Sequence, residues 1–144
     1  MPSYIQADRP LVLQTPLGND VLLLTGLRGE EAVSRPFHFT LEMLNEPTRP
    51  VSFSKLLDQV VTVTLRLSGA PERYINGVVT RVVQGPQVRV VKVEGLLVRY
   101  RAEIVPRFAM LKKRVQIRIF QQKSVPAILK QVLGGLDTRF QLTG

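Results

Sequence analysis

The sequence predicts a mainly β protein, an antiparallel barrel-like sheet with one packed α-helix near the C-terminus. Three observations lead to this fold class. Apolar and polar residues alternate with a period of two along much of the chain, which is typical of half-buried strands. Turn-forming Gly, Pro, Asn and Asp residues separate these runs. Residues 124–133 have instead the end signals and the apolar spacing of a helix.

The first predicted strands flank a turn. Residues 11–14 and 21–27 are rich in apolar side chains, and residues 15–20 between them contain Pro, Gly, Asn and Asp. These turn residues supply the fixed or positive φ angles that a chain reversal needs. This arrangement predicts a β-hairpin.

The clearest strands lie further along the chain. In residues 61–68 every second residue from Val61 is apolar and the residues between are polar. Residues 37–43 and 96–104 show the same alternation. Each run predicts a strand with one face in the core and the other in solvent. Residues 52–57, between two of these runs, predict a helical turn.

A second pair of strands is predicted at residues 74–84 and 88–93. Gly85, Pro86 and Gln87 separate the two runs and favour a turn. The Asn76-Gly77 pair inside the first run predicts a bulge or bend.

The predicted helix, residues 124–133, is the last element with clear boundaries. Ser124 is a natural N-cap, Pro126 stands in the first turn where its missing N–H costs nothing, and the Gly134-Gly135 pair ends the helix. Its apolar stripe predicts that the helix docks on the sheet. The stripe consists of Val125, Ile128, Leu129, Val132 and Leu133. After the helix, residues 136–142 predict a short strand.

The charge of the chain is unevenly distributed. Residues 1–72 hold six Arg and Lys against eight Asp and Glu, whereas residues 73–144 hold fourteen against three. A basic surface with aromatic residues can bind single-stranded nucleic acid, which is the alternative function. Solvated or subunit-facing charge is favoured, because Tyr100 falls on the apolar face of its strand. The cluster consists of Arg99, Arg101, Arg107, Lys112, Lys113, Arg114 and Arg118, with Tyr100, Phe108 and Phe120 among them.

Few residues suit catalysis or metal binding. The chain has no cysteine and one histidine, His38, which lies in an alternating strand and reads as a solvated residue. Two pairs of carboxylates lie in polar sequence that is typical of turns, the adjacent Glu30 and Glu31 and the more widely spaced Glu42 and Glu46. We predict that these carboxylates are solvated surface charges. We therefore predict no catalytic residue, no cofactor-binding residue, no metal ligand and no enzyme activity. Hydrolysis that uses His38 is the remaining enzyme hypothesis.

The sequence shows no export or membrane-spanning signal. Its first six residues lack the basic start and apolar block of a secretory signal. The longest stretch without a charged residue is 10–19, far shorter than the roughly 20 apolar residues of a spanning helix. If this chain leaves the cell, we expect a machine to carry it.

Six segments of the chain, taken in order, point to a known family. They are residues 15–24, 34–39, 56–65, 73–80, 100–106 and 118–129. Together they resemble the amino-terminal part of the VgrG spike proteins of type VI secretion, which is similar to the baseplate hub of contractile phages. The resemblance extends over about residues 11–133.

This resemblance implies a structural role. Hubs of this family are trimers in which two β-barrel domains per chain form a pseudo-sixfold ring that seats on a hexameric tube protein (Hcp in type VI systems). It implies contacts with baseplate components, assembly in the bacterial cytoplasm, and secretion of the parent protein by the machine. No catalytic residue belongs to this part of the family pattern, and nucleic acid is disfavoured as a partner.

The resemblance also sets the expected domains. Residues 1–106 would form the first hub barrel, and residues 107–144 the start of the following segment. The chain departs from the family at residues 107–110, where relatives are rich in tryptophan, and residues 85–97 are hard to match. Relatives continue for several hundred residues, so we expect a fragment or truncation whose unpaired strand edges favour self-association.

Overall fold

The computed structural model describes residues 4–90 and 95–141. By its internal contacts the chain divides into two compact units, Met1–Pro106 and Arg107–Gly144. The first unit contains six strands in one antiparallel sheet, and a short 3-10 turn lies at Phe53–Lys55. The strands are β1 (Leu11–Gln14), β2 (Leu23–Ala32), β3 (Arg35–Asn45), β4 (Val60–Leu65), β5 (Arg73–Arg89) and β6 (Leu96–Val105). Their order across the sheet is β1-β4-β5-β6-β3-β2.

The period-two pattern of the sequence places the core on one face of this curled sheet. In β3 the side chains of Phe39, Leu41 and Met43 are buried, and the polar residues between them are not. The mainly β fold class and the three clearest strands are therefore confirmed, although β4 ends at Leu65 and Leu67, predicted for the core face of the run 61–68, is exposed. The core consists of Leu13, Leu22, Leu24, Phe39, Leu41, Met43, Leu56, Val61, Val63, Ile75, Val79, Val98, Tyr100, Ala102 and Ile104.

The hairpin predicted between residues 11–14 and 21–27 is wrong. Strand β1 pairs with β4, with Leu11 opposite Leu65, and β2 pairs with β3. Residues 15–22 connect β1 to β2, and this connection is longer than the common two- to five-residue hairpin loops. The turn residues reverse the chain without forcing the flanking strands to pair.

Strand β5 is continuous through the predicted turn at residues 85–87. Its pairing with β6 shifts register between Gln84 and Gln87, so the Gly85-Pro86 pair forms a bulge instead. The missing N–H of Pro86 is tolerated there because proline is accepted at bulges and open edges. Of the predicted partner strand at 88–93, residues 91–93 lie outside the described residues.

The bulge predicted at Asn76-Gly77 is also wrong, since Gly77 pairs in regular register with Val61 of β4. Gly77 is needed for a packing reason. A Cβ atom at this position would lie 2.9 Å from the Cβ of Ile104, which is fully buried. The glycine lets the Ile104 side chain pack directly over the β5 backbone.

The Gln6 side chain joins the two outer strands of the sheet where they approach each other. Its Oε1 accepts hydrogen bonds from the backbone N–H of Leu13 in β1 (3.0 Å) and of Leu24 in β2 (3.2 Å). Its Nε2 donates to the carbonyl oxygen of Leu13 at 3.3 Å. Gln6 is 3% exposed. The buried Gln6 amide therefore provides hydrogen bonds to backbone groups of Leu13 and Leu24, in place of a direct pairing between β1 and β2 in the described residues.

The second unit contains a 3-10 helix, Arg107–Lys113, and one α-helix, α1 (Val125–Val132). The helix predicted at 124–133 is confirmed, with Ser124 at the N-cap position and Pro126 in the first turn. Over residues 136–141 the predicted strand does not form, and residue 142 lies outside the described residues. No helix within residues 4–90 and 95–141 is long and apolar enough to cross a membrane.

Candidate functional site

The solvent face of β3, β5 and β6 carries paired charges. The Glu103 carboxylate lies 3.5 Å from His38 Nε2 and accepts a hydrogen bond from Arg81 Nη1 at 3.3 Å. Arg101 Nη2 lies 3.8 Å from Glu42 Oε1 on the neighbouring strand. His38 is half exposed, as expected for a solvated strand residue. These cross-strand pairs neutralise part of the positive charge on this face.

A groove of about 630 Å³ lies on this same face. Thr25 of β2, Thr40 of β3, and Val83 and Arg99 on β5 and β6 line it. The bulge in β5 forms one of its walls, where a Cβ atom added to Gly85 would lie 3.3 Å from that of Arg99. The groove brings together paired ions, two threonine hydroxyls and aliphatic side chains.

The carboxylates considered for catalysis lie on different elements of the sheet. Glu30 and Glu31 lie in β2 and Glu42 lies in β3, so the turn-like surroundings predicted for these three are wrong. Glu31 pairs with Arg73. Within the described ranges, no three His, Asp or Glu side chains come together as a metal site would require.

A small polar cluster near the start of β5 shows the strongest local electrostatics. Tyr74 donates a hydrogen bond to Glu72, and Arg66 Nε donates to Glu72 Oε1 at 2.8 Å. These contacts, that of Tyr74 first, lower the pKa of the Glu72 carboxyl, and the bond to Glu72 raises the pKa of Tyr74. Both side chains are exposed, so this cluster is an ordinary surface network and not a buried acid–base pair.

The basic cluster predicted from the sequence is divided between the two units. Arg99 and Arg101 lie in β6, whereas its other five members lie in the second unit. Tyr100 is buried in the core, as predicted, and its ring meets Phe53 edge-on at 6.2 Å. Burial raises the pKa of Tyr100. Tyr100 is therefore not a stacking platform for bases.

A surface that the sequence analysis missed lies in the second unit. We call residues 114–120 the basic-apolar segment. Its Val115, Ile117 and Ile119 side chains are 93%, 97% and 83% exposed and alternate with Arg114, Gln116 and Arg118. Among the described residues, 115–119 form no backbone–backbone hydrogen bond. The period-two signal of residues 115–119 is readable in the sequence, but the sequence analysis used this stretch only for its cations, for Phe120 and for the family resemblance.

The sheet of the first unit has two open edges. Beyond Leu24, the outer side of β2 has no strand partner within the described part of the chain. Beyond Val79, the side of β5 that faces away from β6 likewise has no strand partner among the described residues. Open edges of this kind are templates for pairing with another strand. The described residues thus include two open sheet edges and the basic-apolar segment, whose residues 115–119 have no backbone–backbone hydrogen bond.

Comparison with known proteins agrees with this view. Residues 30–144 match the family model described as the phage tail baseplate hub (GPD). The type VI secretion system spike protein VgrG1a of Pseudomonas aeruginosa is 35% identical over 92% of this chain and 19% of its own length. VgrG1c of the same organism is 33% identical over 92% of this chain and 17% of its own length. The chain thus spans about a fifth of the curated relatives it matches.

A solved structure has the same fold. It is that of the E. coli c3393 protein, described as a component of the type VI secretion system with structural similarity to the T4 bacteriophage tail proteins gp27 and gp5. It matches with a TM-score of 0.62 and 22% sequence identity, over 90% of this chain and 33% of the c3393 chain. The similarity at this level of identity supports the fold.

Proposed function

The chain belongs to the phage tail baseplate hub family and is similar to VgrG spikes of type VI secretion, and from this we propose that it is a structural module of a trimeric hub. In this role residues 1–106 form the first hub barrel and residues 107–144 begin the following segment. The hub docks on a hexameric tube protein and contacts baseplate components. Assembly takes place in the bacterial cytoplasm, and the machine itself exports the parent protein.

One observation carries this proposal, the curled six-stranded sheet whose outer strands are joined through Gln6. A sheet with a filled core on one face and paired charges on the other is a stiff block. Such a block suits geometric docking, which needs fixed surfaces more than moving parts. The solvent face supports no reaction that we can assign to named groups, and we propose that the module is not an enzyme.

Binding to tube rings tests the proposal. The purified chain is mixed with preassembled rings of the tube protein and sedimented at low and at physiological salt. We expect the chain to sediment with the rings at both salt concentrations. An unrelated basic protein of similar net charge is the control for non-specific attraction. A chain that stays in the supernatant under both conditions contradicts the proposal.

Single-stranded nucleic acid is the second candidate partner. The observation that favours it is the charge of residues 107–144, which hold eight Arg and Lys against one Asp. Binding through phosphate contacts falls steeply as the salt concentration rises. Fluorescence anisotropy with a labelled oligonucleotide at two salt concentrations measures this. Undetectable binding at low salt rules this candidate out.

A further inference from the structure

The basic-apolar segment, residues 114–120, exposes more apolar surface than a solvated strand should. Each aliphatic side chain left in water forgoes about 1.5–3 kcal/mol of stabilisation that burial would give. Val115, Ile117 and Ile119 are all more than four-fifths exposed, and they alternate with polar residues as the side chains of a strand do. A contiguous apolar row of this kind marks an interaction surface.

The neighbouring helix holds this segment in place. Arg118 Nη1 donates a hydrogen bond to the carbonyl oxygen of Gln131 in α1 at 3.3 Å, and Arg118 Nη2 donates to the side-chain oxygen of Gln116. Lys123 Nζ donates to Gln131 Oε1 at 2.6 Å. Since these acceptors are neutral, the charges of Arg118 and Lys123 remain uncompensated. The segment is therefore tethered to α1 and carries uncompensated positive charge.

The chemistry of the segment favours another strand as its partner. A lipid surface offers no hydrogen-bond partners to the free N–H and C=O groups of an extended backbone. Stacking with nucleic-acid bases uses aromatic rings, and the exposed row is aliphatic. An open sheet edge satisfies both the backbone groups and the alternating apolar side chains.

The charges of this chain distinguish between its two open edges. The open part of β2 ends in Glu30 and Glu31, with Arg28 just before them, and Glu31 is already paired with Arg73. The open part of β5 carries Arg81, which is paired with Glu103, and Arg89, whose charge would repel a basic strand. The open part of β2, residues 25–32, also matches the basic-apolar segment in length.

We propose that the basic-apolar segment of one copy pairs as a strand with the open edge of β2 in a second copy. Charge complementarity between Arg114 and Glu30 sets the choice of edge. The contact joins two different surfaces, so its repetition gives a ring of copies where the rotation closes and an open filament where it does not. This inference rests on the proposed hub function, and it names the surfaces through which copies of the module associate.

Sedimentation velocity of the full chain over a wide concentration range tests the apolar part of the contact. We expect the wild-type chain to self-associate and Ile117→Asp to weaken association about 10- to 100-fold, because one aliphatic side chain is lost from the interface. The matched control is Leu67→Asp, an equally drastic change at another exposed apolar residue, which should leave association unchanged. Circular dichroism checks that both variants fold.

A charge exchange tests the choice of edge. Arg114→Glu and Glu30→Arg should each weaken association up to about fivefold, and the double variant should restore it. Arg89→Glu on the β5 edge is the control and should have no effect.

Several results would overturn the inference. They are a wild-type chain that is monomeric at every concentration, an Ile117→Asp variant that associates normally, and a response to Arg89→Glu in place of Glu30→Arg. Loss of binding to anionic vesicles or to single-stranded DNA in Ile117→Asp, with self-association intact, would assign the segment to those partners instead. In each case binding to tube rings reports on the hub function separately.

Discussion

The two units of this chain use the same sequence pattern with opposite results. In the first unit, period-two alternation buries Ile104 completely between neighbouring strands. In the second unit, the same alternation leaves Ile117 almost fully exposed. Both residues stand in apolar-polar runs with flanking cations. The difference shows that alternation fixes which face of a strand is apolar, whereas burial depends on the presence of neighbouring strands.

The charges of the two units differ in the same way. The first unit, residues 1–106, holds twelve Arg and Lys against ten Asp and Glu, and many of these form ion pairs across strands. Residues 107–144 hold eight against one, and none of the described cations there lies within ion-pair distance of a carboxylate. The first unit thus pairs part of its charge within itself, whereas the second unit carries a large excess of cations.

The largest expected difference comes from matched substitutions of two isoleucines. Ile104→Ala should lower the free energy of unfolding by about 2–5 kcal/mol, because it leaves a cavity in a packed core. Ile117→Ala should change it by less than about 0.5 kcal/mol. Urea unfolding followed by circular dichroism measures both, at concentrations low enough to avoid self-association. Equal losses would show that the second unit has a core of its own.

A smaller effect is expected at the join between β1 and β2. Gln6→Ala should cost about 2–4 kcal/mol, because the buried N–H groups of Leu13 and Leu24 lose their acceptor. Gln14→Ala, at an exposed position of β1, is the control. Hydrogen exchange at the two amides should accelerate in Gln6→Ala alone. Unchanged protection would mean that the sheet is held closed by other contacts.

The paired charges on the solvent face should contribute little. Glu103→Gln should cost less than about 1 kcal/mol, although it removes the partner of both His38 and Arg81, because exposed pairs are screened by water and salt. A double-mutant cycle with Arg81→Ala isolates the pair. A coupling energy well above this value would contradict the view of this face as ordinary solvated charge.

The smallest expected effect is a loss of folding stability that develops only at alkaline pH. Burial raises the pKa of Tyr100 above its unfolded value, so the folded state favours the neutral phenol. This contribution to stability is fully present below about pH 10 and is lost as the pH rises through the folded pKa. Comparing the pH dependence of unfolding with that of Tyr100→Phe measures it. Tyr74→Phe controls for the exposed phenol whose pKa Glu72 also raises.

Local patterns in the sequence were sufficient to predict much of this protein. Alternation predicted β3, β4 and β6 with their buried faces, and cap residues predicted α1 to within a residue of its ends. These features depend on side-chain periodicity and on turn or cap chemistry, which neighbouring residues decide. Tyr100 in the core and His38 in solvent followed from the same reasoning.

Strand partners and closure depended on the tertiary structure. No local sequence pattern indicates that β1 pairs with β4, that Gly85 and Pro86 form a bulge within β5, or that the Gln6 amide joins two strands. Each depends on which distant backbone groups need hydrogen bonds once the sheet has curled, and that need exists only in the folded chain. For the same reason the exposed row from Val115 to Ile119 became recognisable as a surface only when its neighbours were known.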